Sequence, residues 1–167
     1  MIEIREASIH DCQLIRELAS QAFSHTYRHI LSPEQLDYMF EWMYSEKSLL
    51  EQMTEQHHHF FIASYDQQAC GYISVEREEK RLFHIQKIYV LPQMQGKKIG
   101  KHLIEKAFSY IRGLVAPDES VTVELNVNRQ NKATGFYKRM GFSIARSGDF
   151  PIGNGFFMND YIMAVQI

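Results

Sequence analysis

The chain has only two cysteines, Cys12 and Cys70, which lie far apart and outside any metal-ligand or redox spacing. That argues against a disulfide-stapled secreted domain and against a cysteine-rich zinc module, and two free thiols in a reducing cytoplasm are expected. No apolar run approaches the ~20 residues that a membrane span needs. The opening segment MIEIREASIHD is too charged for a signal peptide and reads as a strand leading into a helix. The net charge is small, −2, so neither nucleic acid nor an anionic membrane is an expected partner. There is no internal repeat and no low-complexity linker. What remains is a soluble composition, 45% hydrophobic and 23% charged. The length of 167 residues suits one domain, 1–167, large enough to bury about two thirds of its unfolded surface.

Hydrophobic periodicity divides the chain into elements. Ile2 and Ile4 alternate with polar neighbours as a strand does. Ser8 with Asp11 resembles a capping box, and Ile15, Leu18, Ala19, Ala22 and Phe23 mark one face of the helix that follows. Ser32-Pro33-Glu34-Gln35 opens a second helix carrying Leu36, Met39, Phe40 and Met43. Ser45 caps a third, carrying Leu49, Leu50 and Met53. Residues 59–64, 69–77 and 82–90 are runs of aromatic and β-branched residues between polar turns, an antiparallel three-strand meander. A loop at 91–100 leads to a helix with Leu103, Ile104, Ala107, Phe108 and Ile111 on one face. Residues 121–127 alternate as a strand, 131–140 suit a helix ending at Gly141, and 142–165 hold two short strands around a turn near Gly153 and Gly155. The helix between strands 82–90 and 121–127 allows those two to run parallel. The fold class is therefore α/β (α+β), with a mixed central sheet of six to seven strands flanked by helices. Ligands of such sheets sit beyond the carboxyl ends of the strands.

The loop at that point reads Gln95-Gly96-Lys97-Lys98-Ile99-Gly100-Lys101. Small residues admit a ligand close to the backbone, and the following helix presents unpaired N–H groups and a positive dipole end. Lys97, Lys98 and Lys101 add charge. The combination describes an anion site, though it is neither a Walker A loop nor a GxGxxG fingerprint. By itself the loop is equally well a basic surface turn.

A second segment decides between these readings. Asn131-Lys132-Ala133-Thr134-Gly135-Phe136-Tyr137-Lys138-Arg139-Met140-Gly141-Phe142 follows the loop at a spacing that holds one helix and one strand. The pair N-x-x-A-x-x-F-Y-x-x-x-G-F and Q-x-x-x-x-G, with Ile88-Tyr89-Val90-Leu91-Pro92 ahead of the loop, resembles the GNAT superfamily of acyl-CoA-dependent N-acyltransferases. The resemblance covers nearly the whole chain. It departs from the family pattern at Lys98, which stands where the first glycine of Q/R-x-x-G-x-G/A is expected, and its Cβ is expected to narrow the approach to a pyrophosphate.

The resemblance implies an N-acetyltransferase that uses acetyl-CoA as co-substrate and no metal. The amine attacks the thioester directly in a ternary complex, and a thiolate leaves. Main-chain N–H groups of Ile88, Tyr89 and Val90 are then the oxyanion donors, and Tyr137 is the acid that protonates the thiolate. The competing role for Tyr137 is packing on the sheet, for which Phe136 is the better suited. Gln95, Gly96, Lys97, Lys98, Ile99, Gly100 and Lys101 are the pyrophosphate loop. Asn131 holds the pantetheine or phosphate arm or caps its helix, and Asn126 is a lesser candidate for the same arm. The general base is open among His84, Glu76 on the preceding strand, and a water chain. Many family members carry a Glu on the strand into the loop, where this chain has His84, Gln86 and Lys87. His57-His58-His59 point to alternate faces with no acid or Cys to complete a ligand set, so they read as solvated surface residues.

Phe23-Ser24-His25-Thr26-Tyr27, Ser32-Pro33-Glu34, Asp149-Phe150-Pro151-Ile152-Gly153 and Asp160-Tyr161-Ile162-Met163 resemble the bacterial polyamine N-acetyltransferase branch. Glu34, Asp37, Glu41, Glu46, Glu76, Glu78 and Glu79 are acids available to attract a cation, although most suit solvated surfaces. The partner this implies is a small-molecule amine, with the protein a monomer or homodimer. Two rivals stand beside it: the same chemistry on a protein N-terminus or lysine, and a non-catalytic acyl-CoA-binding module.

Overall fold

The computed structural model describes residues 1–167. Seven strands form one sheet: β1 (Ile2–Glu6), β2 (His59–Tyr65), β3 (Gln68–Glu79), β4 (Leu82–Val90), β5 (Thr122–Asn128), β6 (Ser143–Gly153) and β7 (Phe156–Gln166). Their order is β1-β2-β3-β4-β5-β7-β6. Every neighbouring pair is antiparallel except β4 and β5, which are joined by a crossover helix. No helix is long and apolar enough to cross a membrane.

Helices α1 (Cys12–Tyr27), α2 (Pro33–Tyr44) and α3 (Glu46–Thr54) precede the meander. The sequence signals of their starts are realised. Ser8 and Asp11 form a reciprocal capping box over a 3-10 turn that runs into α1. Ser32 accepts from the Gln35 N–H, and Ser45 from the Ser48 N–H. α4 (Ile99–Arg112) turns Ile99, Leu103, Ile104, Ala107 and Ile111 into the core. Burying such side chains contributes roughly 1.5–3 kcal/mol each, which is what fastens the crossover to the sheet.

The last third departs from the sequence expectation in two ways. β6 and β7 are long, 11 residues each, because they pair with each other over nearly their full length. The helix expected over 131–140 is only α5 (Thr134–Arg139). Asn131 Oδ1 accepts the Ala133 N–H at 2.9 Å, and this local turn occupies the residues that the motif suggested were helical.

One irregularity shapes the middle of the sheet. Against β3, Lys87 pairs with Ser74 while Ile85 pairs with Val75, so Gln86 is the extra residue of a β-bulge. A bulge bends its strand and strengthens the twist. The parallel pairing of β4 with β5 stops at Ile85 and Leu125, although the two strands run on to Val90 and Asn128. A wedge therefore opens between them.

Candidate active site

The wedge is the floor of a cleft of about 980 Å³. Its floor comprises residues 85–90 of β4 and 125–127 of β5. The end of α1 and the loop after it form one wall, with His25, Thr26, Tyr27, His29 and Ile30. Met94, Gln95, Gly96, Lys98, Ile99, Gly100 and Lys101 form the rim. Residues 130–133 and the α5 side chains Phe136, Tyr137 and Arg139, with Met140, form the far wall.

Ladder alternation sets the chemistry of the floor. The Leu91 N–H donates to Cys70 O at 2.8 Å, so Leu91 faces β3. In an antiparallel ladder every second residue faces the same way, which places the N–H groups of Tyr89 and Lys87 on β3 as well. Those of Ile88 and Val90 then point into the wedge, where β5 no longer offers carbonyls.

At the rim, the N–H groups of Ile99, Gly100 and Lys101 find no partner within the chain, and the first helical bond is from His102 N–H to Lys98 O at 3.2 Å. Lys98 is the N-cap, in left-handed conformation at φ +64°, and its side chain makes no capping bond. Gly96 has φ +85° and open space where a Cβ would project. Gly100 has a different reason to be glycine: a Cβ there would lie 3.2 Å from Phe136 Cζ, so this residue lets α5 pack on α4. Lys98, Lys101, Lys132 and Arg139 give this end of the cleft a positive lining, suited to a polyphosphate.

Tyr137 is buried at the inner wall. Burial first, and then the neighbouring Tyr27, raises its pKa, so the hydroxyl keeps its proton at neutral pH. Tyr27 is likewise buried and raised by burial, partly opposed by its contacts with Tyr89 and Asn131. The sequence named Tyr27 only within the segment resembling the polyamine branch, with no role of its own; its place beside Tyr137 follows from the packing of α1 on the sheet. Its companions are Tyr89 and Phe23, whose rings lie 5.8 Å apart, and Tyr44 and Tyr72, joined through their hydroxyls at 2.7 Å.

The cleft brings together Ile88, Tyr89, Val90, Gln95, Gly96, Lys98, Ile99, Gly100, Lys101, Asn126, Asn131 and Tyr137. Three sequence candidates lie outside it. Lys97 turns away, its Nζ 4.9 Å from the centre of the Tyr65 ring. His84 Nδ1 faces Glu78 Oε1 at 3.3 Å, on the part of β4 still paired with β5. Glu76 accepts from Gln86 Nε2 at 3.1 Å and lies 3.3 Å from His58 Nε2. Both base candidates are thus held by neighbours on the closed part of the sheet, because the wedge starts only after Ile85.

The three histidines diverge but are not all solvated. His57 is exposed, His58 is largely buried against Glu76, and His59 stacks on Tyr110 with centroids 4.3 Å apart. Burial pushes His58 down to about 4, helped by Lys87 and His84, so the ring beside Glu76 is neutral. Glu78, His84 and Glu124 bring possible ligand atoms within 4.8 Å of one another, a grouping that sequence spacing did not reveal. Arg146 already takes both Glu124 oxygens, at 2.9 and 3.1 Å.

Residues 27–161, most of the chain, match the acetyltransferase (GNAT) domain. The chain belongs to the GNAT acetyltransferase family. It is an acetyl-CoA-dependent N-acetyltransferase. A curated relative, the spermidine N(1)-acetyltransferase of Thermoplasma acidophilum, is 28% identical over 148 residues, covering 86% of this chain and 89% of the relative. The crystal structure of the PaiA N-acetyltransferase from the same organism, in complex with coenzyme A, superposes with a TM-score of 0.80 at 26% identity, covering 100% of this chain and 99% of that one. The peptidyl-lysine N-acetyltransferase YjaB of Salmonella typhimurium is 39% identical, but over 62 residues, or 36% of this acetyltransferase.

Proposed function

We propose that this acetyltransferase acetylates a primary amine of a small cationic molecule, such as a diamine or polyamine, by direct attack in a ternary complex. The observation that carries the chemistry is the wedge: unpaired N–H groups of Ile88 and Val90 on its floor, the free N-terminus of α4 at one end, and the protonated Tyr137 hydroxyl on its wall. These residues fit acetyl-CoA. The first-turn N–H groups of α4, with Lys98, Lys101 and Arg139, hold the phosphates. Asn131 holds the arm. The co-substrate supplies a thioester, whose acetyl group is activated for transfer. Ile88 and Val90 N–H groups stabilise charge on the acetyl oxygen, and Tyr137 Oη holds the proton for the departing sulfur. The proton that the amine nitrogen must lose passes to a water chain, the base candidate left once His84 and Glu76 fall outside the cleft. The spermidine-acetyltransferase relative supports the small cationic acceptor. The short match to a peptidyl-lysine enzyme supports a second reading, transfer to a protein lysine or N-terminus.

Thiol release from acetyl-CoA, measured over a panel of diamines, polyamines and peptides, separates these readings. Turnover of small amines well above peptides is expected, and peptide turnover alone would replace the first reading by the second. In the same assay Tyr137→Phe should lower kcat and kcat/KM together, towards the low end of about 10²–10⁴-fold, with acetyl-CoA affinity retained. Binding of acetyl-CoA with no turnover of any amine would reduce the protein to a binding module.

A further inference from the structure

Asp160 on β7 is 2% exposed, the most deeply buried carboxylate in the protein. It pairs across the sheet with Asn128 of β5 and Gly148 of β6. Its side chain takes one hydrogen bond, from Asn126 Nδ2 to Oδ2 at 3.2 Å. It has no salt-bridge partner. Arg129, whose charge acts on it, directs its guanidinium instead to Asp149, to Ser147 Oγ, and to the main-chain oxygens of Gly148 and Asp160. An ionised carboxylate buried without a counter-ion is expensive, and a fold that retains one often uses it.

The hydrogen bond also sets the direction of Asn126. A carboxylate oxygen accepts, so Asn126 must present its NH₂ to Asp160. The amide oxygen, Oδ1, is then turned away from Asp160, and Asn126 borders the cleft. Tyr27, across the cleft at the end of α1, feels the same negative charge. No Asp or Glu lines the cleft directly, whereas Lys98, Lys101, Lys132 and Arg139 do, with Lys87 of the floor, whose ammonium is turned to Gln52. The acids anticipated from the sequence, Glu34, Asp37, Glu41, Glu46, Glu76, Glu78 and Glu79, are all outside it. A cationic acceptor that enters this cleft therefore has one buried acid close by, Asp160 beneath Asn126 of the floor.

We infer that Asp160 is a positioning residue for the acceptor: acting through Asn126, whose Oδ1 it turns outward, it anchors the second, non-reacting ammonium group of an incoming diamine or polyamine, leaving the neutral amine at the other end to attack. This rests on the reading that the acceptor is a small cationic amine. It assigns Asn126 to the acceptor rather than to the coenzyme arm. Asp160 itself stays behind Asn126 and supplies orientation and charge.

The test is Asp160→Asn, which keeps the shape but removes the charge and, having an NH₂ of its own, no longer obliges Asn126 to present its NH₂. With 1,4-diaminobutane and spermidine as acceptors, the KM for the amine should rise at least 10-fold, while kcat stays within 3-fold and the KM for acetyl-CoA is unchanged. The melting temperature of the free protein should rise, since a carboxylate whose charge is disfavoured by burial more than Asn126 and Arg129 favour it is removed. Asp149→Asn, at an exposed acid nearby, should leave the amine KM unchanged. An unchanged amine KM in Asp160→Asn, or a lowered melting temperature with all constants shifted together, would make Asp160 structural and overturn the inference. If the wild-type protein turns over neither amine, the function reading has failed. Calorimetry with spermidine and the coenzyme A complex then decides the inference separately. Binding seen in the wild type and lost in Asp160→Asn upholds it; binding equal in both, or absent from both, overturns it.

Discussion

Lys98→Gly should stabilise the free protein while changing coenzyme A affinity little. Lys98 is held at φ +64° and ψ +19°, with no capping bond to offset the conformation. A left-handed backbone costs a residue with a Cβ about 1–2 kcal/mol. Glycine escapes that cost but loses about 0.5–1 kcal/mol more backbone entropy on folding. The difference leaves a net gain on the order of 0.5–1 kcal/mol. For a chain of this size each kcal/mol moves the melting temperature by about 2–4 °C, so a rise of about 1–4 °C is expected in a thermal scan without ligand. The ligand arm carries two opposed effects. Removing one exposed ammonium from a rim that also has Lys101, Lys132 and Arg139 costs about 0.2–1 kcal/mol of attraction. Removing the Cβ frees the approach to the N–H groups of Ile99 and Gly100. A dissociation constant within about 5-fold of the parent follows, read by calorimetry with coenzyme A. Lys98→Val is the counter-test, because a β-branched residue is least compatible with this conformation. A lower melting temperature for Lys98→Gly, or a Lys98→Val protein as stable as the parent, would refute the strain argument.

Gly100→Val should lower both stability and coenzyme A affinity by pushing Phe136 off α4, with overpacking of about 1–3 kcal/mol and a partial rescue by Phe136→Leu. If the double variant is no better than the single one, the crowding is on the ligand side of the helix instead. Lys87 should make stability rise with pH. Burial pushes its ammonium down to about 7, with Nζ 2.7 Å from Gln52 Oε1. Between that value and the ordinary lysine range the unfolded chain binds the extra proton, so stability climbs by up to about 1.4 kcal/mol per pH unit and is lost as pH falls through 7. Urea unfolding at pH 7 and 9 should show this slope in the parent and a flatter one in Lys87→Met; equal slopes would assign it elsewhere. Prolonged dialysis against a strong chelator should leave turnover unchanged. A loss restored by one divalent ion would overturn the metal-free reading and direct attention to Glu78, His84 and Glu124.

Much of this architecture was legible in the linear chain because its causes are local. Caps at Ser8, Ser32 and Ser45, the apolar stripe of α4 and the alternation in β5 each depend on residues a few positions apart. The two motif segments also stay readable, since Gly96 answers a backbone demand at its own position. Lys98 shows the limit of that reading: the sequence marks a missing glycine, and the backbone adopts the left-handed conformation regardless.

The amino-acid sequence by itself determined most of the elements, the crossover between β4 and β5, the glycine-containing turn that opens α4 and the tyrosine on α5. Only the tertiary structure decided which side chains meet in the cleft. The bulge at Gln86 depends on how β4 registers against β3, and it stops the pairing of β4 with β5 at Ile85. His84 and Glu76 fall on the closed side of that point, and Ile88 and Val90 on the open side. Asp160 stands 34 residues from Asn126, yet meets it because β5 and β7 pair antiparallel. Such contacts depend on register and strand order, which arise from the packing of the whole sheet and leave no periodic trace in the sequence.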